Sequence, residues 1–216
     1  MVAALCLFTA YAGENTMAKL LYQGHASYRI TTAAGVVVYI DPYAGTGYDV
    51  PADIILVTHE HYDHNKVSLV TQKKSCRTIR ARDMLIGGDY KKVDVNGIGI
   101  QAVPAYNKNH NRNKCVGYIL TLEDGVTVYA AGDTSYTDYM KDVLPGMHLD
   151  YAFLPCDGVF NMDAVEAGRC ADIIGAKHSV PIHTKPGKLF DRTVAERFTA
   201  KNRLILEPGE EISLEK

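Results

Sequence analysis

The chain has 216 residues, 47% of them hydrophobic, which is enough for one sizeable core and predicts a single domain over residues 1–216. Lys and Arg number 23 against 25 Asp and Glu, so a net charge of −2 gives no reason to expect nucleic acid held by bulk charge. No run reaches the roughly 20 apolar residues of a membrane span, so we expect no membrane partner.

The first residues allow two interpretations. Residues 1–16 contain a short apolar run and an Ala-Tyr-Ala sequence typical of a signal peptidase site, but no Lys or Arg precedes that run. They are either a signal peptide, which would place the protein in the periplasm or outside the cell, or an over-extended start before a strand that begins near Met17.

The cysteines are scattered, odd in number and without a C-x-x-C pair, which argues against a disulfide framework and for a reducing compartment. We therefore expect a cytoplasmic protein. Cys156 lies in the segment 153–158, which is predicted to be a strand running into a loop, and a buried or loop thiol without a chemical role is its expected state. The five cysteines are Cys6, Cys76, Cys115, Cys156 and Cys170.

The first half of the chain is predicted to consist mainly of strands, because β-branched and aromatic residues dominate its short apolar runs. The last of these runs is continuously apolar, which is typical of a strand buried on both faces. The next segment, 66–73, carries Val67, Leu69 and Val70 at helical spacing and predicts a short helix. The predicted strands are 20–23, 26–31, 35–40 and 54–57, with a hairpin turn at 33–35.

The second half mixes strands and helices. A helix is predicted over 162–174, with Asn161 or Asp163 as its N-cap and Gly175 after its last turn. A second helix is predicted over 193–200. The predicted strands are 93–103, 115–122, 126–131 and 203–206, with a turn at 123–125.

The segment Thr58-His59-Glu60-His61-Tyr62-Asp63-His64 directly follows the buried strand 54–57. His59 and His61 are two residues apart, so both rings can point to one side and bind one cation, while Asp63 and His64 can reach a second. Imidazole and carboxylate ligands suit zinc, with manganese or iron as alternatives. The alternative is a solvated surface turn that is rich in histidine.

This H-x-H-x-D-H pattern, together with three shorter segments, resembles the metallo-β-lactamase-fold metal-dependent hydrolases over nearly the whole chain. The segments are VVVYIDP ending near Asp41, YAAGDT containing Asp133, and SVPIH ending at His183. The resemblance implies an α/β (α+β) fold, a four-layer αβ/βα sandwich whose metal site lies at one edge. The phrases LYQGHASYRI, VPAYN and AAGDT are most similar to small stand-alone hydrolases related to ascorbate-6-phosphate lactonase.

The same resemblance implies two metal ions, zinc being the first expectation. It assigns His59 and His61 to site one, Asp63, His64 and His183 to site two, and Asp133 to a bridging position, with Asp63 and Asp133 also catalytic. A shared carboxylate between two cations offsets their mutual repulsion.

Three further positions are less determined. Many relatives have a third site-one histidine where this chain has Asn107, and His110 follows three residues later. Either of these two residues lies near the metal, or both are purely structural. His25 is expected to line the site without being counted as a ligand, and Asp41 is expected to orient a ligand histidine. His148 and His178 are expected to be ordinary surface or packing residues.

The predicted function is hydrolysis, in which a metal-bound hydroxide attacks a carbonyl or phosphorus centre. The resemblance points to a small-molecule substrate, namely a small lactone, ester or phosphorylated sugar acid. The alternatives are a phosphodiesterase or nuclease-type hydrolase and a non-catalytic metal-binding sensory module. β-Lactam hydrolysis and di-iron redox chemistry are less favoured, and a homo-oligomer is left open.

Overall fold

The computed structural model describes residues 17–216. The expectations for residues 1–16, and for Cys6 within them, fall outside the described residues. Across the described range, none of the helices combines the length and apolar character that crossing a membrane requires.

The first sheet has six strands in the order β14-β1-β2-β3-β4-β5. β3 and β4 pair in parallel, as do β4 and β5, so these three strands end at the same edge of the sheet. The strands are β1 (Lys19–Gly24), β2 (Ser27–Thr31), β3 (Val37–Ile40), β4 (Ala52–Val57), β5 (Gln72–Arg80) and β14 (Glu211–Ser213).

The second sheet also has six strands, in the order β13-β12-β11-β10-β9-β8. β11, β12 and β13 are parallel neighbours and likewise end at one edge. The strands are β8 (Lys92–Val95), β9 (Ile98–Pro104), β10 (Val116–Thr121), β11 (Thr127–Ala130), β12 (Tyr151–Pro155) and β13 (His178–Ile182). A separate short hairpin joins β6 (Leu85–Ile86) to β7 (Asp89–Tyr90).

The helices are short, and α3 is the one that the sequence specified best. The Asp163 side chain accepts hydrogen bonds from the backbone N–H groups of Val165 and Glu166, and Gly175 follows the helix with a left-handed φ of 68°. The helices are α1 (Ala81–Met84), α2 (Asp138–Asp142), α3 (Ala164–Ile174) and α4 (Arg192–Glu196), with 3-10 turns at Val67–Leu69 and Leu144–Met147.

The main core lies between the two sheets, where the Tyr28 ring stacks on Phe153 with ring centroids 4.3 Å apart. A second apolar cluster packs α3 and residues of α2 on the outer face of the second sheet. The outer face of the first sheet is covered by Tyr48, Val70 and neighbouring loop residues. The expected sandwich of mixed α/β type is therefore confirmed.

Two predicted elements are wrong. Residues 66–73 form only the 3-10 turn before the chain enters β5. β5 is an edge strand whose first residues are polar and exposed, so it has no apolar periodicity that would reveal it. Residues 203–206 form no strand, and an isolated bridge between Ser179 and Arg203 is what the structure has there.

The long strand predicted over 93–103 is divided into β8 and β9 by a tight turn. Asn96 and Gly97 have left-handed φ values of 54° and 80°, the conformation that a two-residue hairpin requires. The predicted helix over 193–200 is shorter and ends at Glu196. The other predicted strands and the helix over 162–174 are confirmed to within a few residues at each end.

Candidate metal centre

Polar side chains follow five of the six parallel strands at the shared edge of the sandwich. Because parallel strands end together, residues that are far apart in sequence become neighbours there. Asp41 follows β3, the segment Thr58–His64 follows β4, Asp133 lies shortly after β11, Asp157 follows β12, and His183 follows β13.

In the described part of the chain, eight side chains form the donor cluster, in which three overlapping groups have ligand atoms within 4.8 Å of one another. Asp133 joins the groups: its Oδ1 lies 3.3 Å from His64 Nε2, and its Oδ2 lies 3.1 Å from His110 Nε2 and 3.6 Å from His183 Nε2. The groups are His59, His61 and His110; His59, His64 and Asp133; and His25, Asp63, His64 and His183.

His110 and Asn107 take different places in this arrangement. His110 is buried, and its ring centroid lies 5.0 Å from that of His59 and 4.9 Å from that of His61. Asn107 Oδ1 accepts hydrogen bonds from His110 Nδ1 and from the His110 backbone N–H, both at 3.0 Å. The structure thus places His110 in the donor cluster and Asn107 behind it.

Asp41 is buried and contacts the motif from behind. It accepts hydrogen bonds from the Thr58 backbone N–H at 2.7 Å, the Thr58 hydroxyl at 2.6 Å and His64 Nδ1 at 2.8 Å. These contacts fix the start of the H-x-H-x-D-H segment and direct His64 Nε2 toward Asp133.

His25 lies in the donor cluster, with its ring centroid 3.7 Å from that of His183. Its Nδ1 donates to the Lys188 carbonyl at 3.0 Å, and its Nε2 lies 3.1 Å from Asp63 Oδ2. Its left-handed φ of 57° belongs to the turn between β1 and β2, which brings the ring to the edge where the parallel strands end.

Asp157 is a site residue that the sequence analysis missed. Its Oδ2 lies 3.0 Å from His183 Nδ1, and its Oδ1 accepts the backbone N–H groups of Val159 and Phe160. The available signal was its position two residues after β12, whose parallel neighbours lead to Asp133 and His183. Its neighbour Cys156 is buried, and burial raises the pKa of that thiol to about 12, which leaves it inert.

The remaining histidines lie outside the cluster. His178 begins β13 and stacks on Tyr151 with ring centroids 4.9 Å apart. His148 is exposed and ends a 3-10 turn with a left-handed φ of 50°.

The cluster is a network of opposite charges. Burial alone would lower the pKa of His183, but the Asp133 carboxylate and the contacts with Asp157 and Asp63 raise it to about 9. Burial would raise the pKa of Asp63, yet its contacts with His183 and His25 hold that pKa below its usual range. Despite burial, the pKa of His64 is likewise raised by Asp133 and Asp41, whereas burial lowers the pKa of His25, His59 and His61. Protons on His64 and His183 therefore balance the carboxylates, and a metal ion would displace them.

The donor set fits divalent metal ions. In His25, His64 and His110, the outer ring nitrogen, Nδ1, is directed at an oxygen acceptor of the protein. The inner ring nitrogen, Nε2, therefore faces a carboxylate. Among residues 17–216, the buried atoms His64 Nε2, His183 Nε2 and Asp133 Oδ1 have no well-aligned hydrogen-bond partner. A nitrogen lone pair facing a carboxylate oxygen is unfavourable unless a positive charge lies between them, and either a proton on the imidazole or a metal ion supplies that charge.

Gly132 lies where the H-x-H-x-D-H segment packs against the second sheet, and we expect Gly132→Ala to destabilise the protein. A Cβ there would lie 2.9 Å from the Val116 carbonyl oxygen and 3.0 Å from Thr58 Cβ, and the residue has a left-handed φ of 65°. Left-handed backbone and overpacking together give a loss of about 2–4 kcal/mol in the free energy of unfolding. Urea denaturation measures it, with Gly146→Ala as the control because no heavy atom lies within 4 Å of a Cβ there. Equal stability of the two variants would contradict this prediction.

The two packed sheets and the histidine and aspartate cluster at their common edge define a protein of the metallo-β-lactamase fold, a fold that binds divalent metal. Residues 19–183 match the family described as "Beta-lactamase superfamily domain". A UPF0173 metal-dependent hydrolase of Thermococcus kodakarensis is 32% identical, with 92% of this chain and 100% of that protein covered. A UPF0173 metal-dependent hydrolase of Methanoculleus marisnigri is 31% identical over 91% of this chain and 96% of that protein.

The chain therefore belongs to the UPF0173 metal-dependent hydrolase family of the beta-lactamase superfamily. The solved structure of Igni18, a metallo hydrolase from Ignicoccus hospitalis, shares the fold with a TM-score of 0.72 and 24% identity, covering 93% of this chain and 100% of that one. The narrower likeness to ascorbate-6-phosphate lactonase stays a prediction.

Proposed function

We propose that this protein is a hydrolase with two metal ions, zinc being the first candidate, held on either side of Asp133. His59, His61 and His110 are assigned to one ion, and Asp63, His64 and His183 to the other. When bound, such ions lower the pKa of a water molecule and polarise the bond that it attacks. The observation that carries the proposal is the set of imidazoles whose outer nitrogens are fixed by protein acceptors while their inner nitrogens face carboxylates.

The residues behind the cluster keep it rigid. Asp41, Asn107 and Asp157 each accept from, or lie against, the outer nitrogen of one cluster histidine. They select the tautomer that presents Nε2 to the centre, so little reorganisation is needed when an ion binds. His25 presents its Nε2 to Asp63 in the same way and is assigned to positioning that carboxylate.

Asp63 and Asp133 are also assigned to the reacting centre. Both line a cavity of about 340 Å³ whose wall includes Tyr62 and Phe160. We call it the second cavity, to distinguish it from a neighbouring first cavity described below. A site of this size takes a small molecule, and Asp63 retains some solvent exposure from which it could orient an attacking water. A carboxylate with a lowered pKa stays ionised at neutral pH, which suits a ligand.

For the substrate we propose a small lactone, ester or phosphorylated sugar acid, on the resemblance of the GHAS, VPAYN and AAGDT phrases to small stand-alone hydrolases. A cytoplasmic location is proposed from the cysteine pattern.

Metal analysis followed by assay tests the proposal. Protein purified without added metal should contain two divalent ions per chain by elemental analysis. It should hydrolyse carboxylic esters or lactones faster than bis(4-nitrophenyl) phosphate, and a chelator should remove both metal and turnover. His148→Ala is the control, because His148 is an exposed histidine outside the cluster.

The outcomes separate the alternatives. Two ions without turnover of any ester, lactone or phosphodiester would favour a non-catalytic metal-binding module. Preferred cleavage of the phosphodiester would overturn the substrate proposal and leave the metal assignment standing.

A further inference from the structure

A first cavity, of about 460 Å³, lies beside the donor cluster on the side of His59 and His61. The first and second cavities share His61 and Asn109 as lining residues, so they adjoin at the point where one metal ion is proposed to bind. A substrate whose reacting bond lies at the cluster can therefore extend into either cavity.

The two cavities differ in charge. Arg82, from α1, and Lys114, from the loop that also carries His110, line the first cavity. Among residues 17–216 neither side chain forms an ion pair, so both positive charges are available to a ligand. Within residues 17–216, the second cavity has no Lys or Arg on its wall. Besides cluster residues, its lining consists of Tyr62, Asn109, Phe160, Pro186 and Gly187.

Of the described residues, Glu60 is the one acidic residue on the wall of the first cavity, and its charge is already compensated. Its carboxylate accepts hydrogen bonds from Arg80 at 2.8 and 3.0 Å and from Asn65 at 3.1 Å. Arg82 makes no such contact with Glu60 and influences it only at longer range. The wall of the first cavity is therefore positive overall.

Amide groups add hydrogen-bonding capacity to that wall. Asn111 and Asn113 line the first cavity in the same loop as Lys114, and the Asn113 backbone N–H donates to Asn111 Oδ1 at 2.8 Å. Guanidinium, ammonium and amide donors around one small space are suited to carboxylate or phosphate oxygens.

We propose that the first cavity binds a negatively charged substituent of the substrate, a carboxylate or a phosphate, and that Arg82 and Lys114 determine this specificity. The inference rests on the proposed hydrolase function, since it places the reacting bond at the donor cluster. The substrate is then a small anion whose charged end lies on the His59 and His61 side, while any apolar part lies against Tyr62 and Phe160.

Binding of two matched acids to the metal-loaded full chain tests the proposal. Adipate carries a second carboxylate where hexanoate ends in a methyl group, so the ratio of their Kd values removes the contribution of the carboxylate common to both. By isothermal titration calorimetry we expect adipate to bind about tenfold more tightly than hexanoate, from two charge-assisted contacts at a partly exposed wall. The ratio should fall to about one in the Arg82→Gln/Lys114→Gln double variant.

The control is Arg77→Gln/Lys92→Gln, which removes two cations that line neither cavity and should keep the preference of the parent. Replacing adipate by 6-phosphonooxyhexanoate distinguishes the two anions: a larger preference over hexanoate assigns the cavity to phosphate, and a smaller one assigns it to carboxylate. Absence of any preference in the parent, or an unchanged preference in Arg82→Gln/Lys114→Gln, would overturn the proposal.

Turnover of the 4-nitrophenyl esters of the same acids keeps the two proposals separable. Faster hydrolysis of the adipate monoester than of the hexanoate ester, lost in the double variant, supports both. If neither ester is hydrolysed while the binding preference holds, ester hydrolysis fails and the anion-binding assignment stands.

Discussion

Replacing Asp133 by asparagine should remove at least one metal ion per chain and lower kcat/KM by about 1000-fold or more. Among residues 17–216, Asp133 is the one carboxylate that lies against histidines of both proposed sites, within 3.1 to 3.6 Å of His64, His110 and His183. The asparagine amide keeps the shape but loses the negative charge, and its NH₂ group cannot bind a cation. Elemental analysis and steady-state kinetics on the same preparations measure the two effects.

Asp150→Asn is the matched control for this variant. Asp150 is also a buried aspartate beside a strand of the second sheet, since it directly precedes β12, but it bonds to Thr127 and Lys177 and contacts no histidine of the cluster. It should affect the free energy of unfolding without changing the metal content. If Asp133→Asn retains two ions and full turnover with unchanged circular dichroism, the bridging role is refuted.

Replacing His110 by alanine should lower the metal content from two ions to one. His110 is the third imidazole of the group with His59 and His61, and two imidazoles with one shared carboxylate make a much weaker zinc site. Turnover should fall by about 100-fold or more, because one ion cannot both activate water and stabilise the developing charge as two do.

Asn107 variants separate binding from orientation. Asn107→Ala should keep two ions at saturating metal but weaken the affinity of site one about 10- to 100-fold, since Asn107 Oδ1 fixes the His110 ring from behind. His178→Ala, a histidine stacked on Tyr151 outside the cluster, should change neither quantity. Equal metal affinity in His110→Ala and the parent would show that His110 is structural. The third ligand of site one would then be unassigned.

Local sequence was sufficient to predict a strand or helix where one short segment contains all the residues that specify it. The continuous apolar run of β4 and the cap residues Asp163 and Gly175 specify their elements without reference to the rest of the chain. β5 was missed because an exposed edge strand buries little, so its sequence shows neither apolar alternation nor a continuous apolar run. The break between β8 and β9 does have a local signal, because Asn-Gly at 96–97 is the typical pair of a two-residue hairpin.

The same division holds for the site. His59, His61, Asp63 and His64 lie within six residues, so their clustering is visible in the sequence itself. Asp133 and His183 were assigned through resemblance, and the structure brings them to the same edge as the motif. Asp157 was missed because its importance depends on β12 lying between β11 and β13, and strand order is not written in any local pattern.

The sequence by itself determined the H-x-H-x-D-H segment, because this depends on residue types at short spacing, and the resemblance of the chain to a known family implied the fold class and the kind of chemistry. Only the tertiary structure decided that His110 joins His59 and His61 while Asn107 stands behind it, and that Arg82 and Lys114 share the wall of one cavity. The physical reason is that these contacts form only when the two sheets pack together and the loop carrying His110 and Lys114 takes its final path. Both depend on packing across the whole chain. Sequence spacing shows which metal-ligand side chains are close along the chain. Tertiary packing determines which of them contact one another in the folded protein.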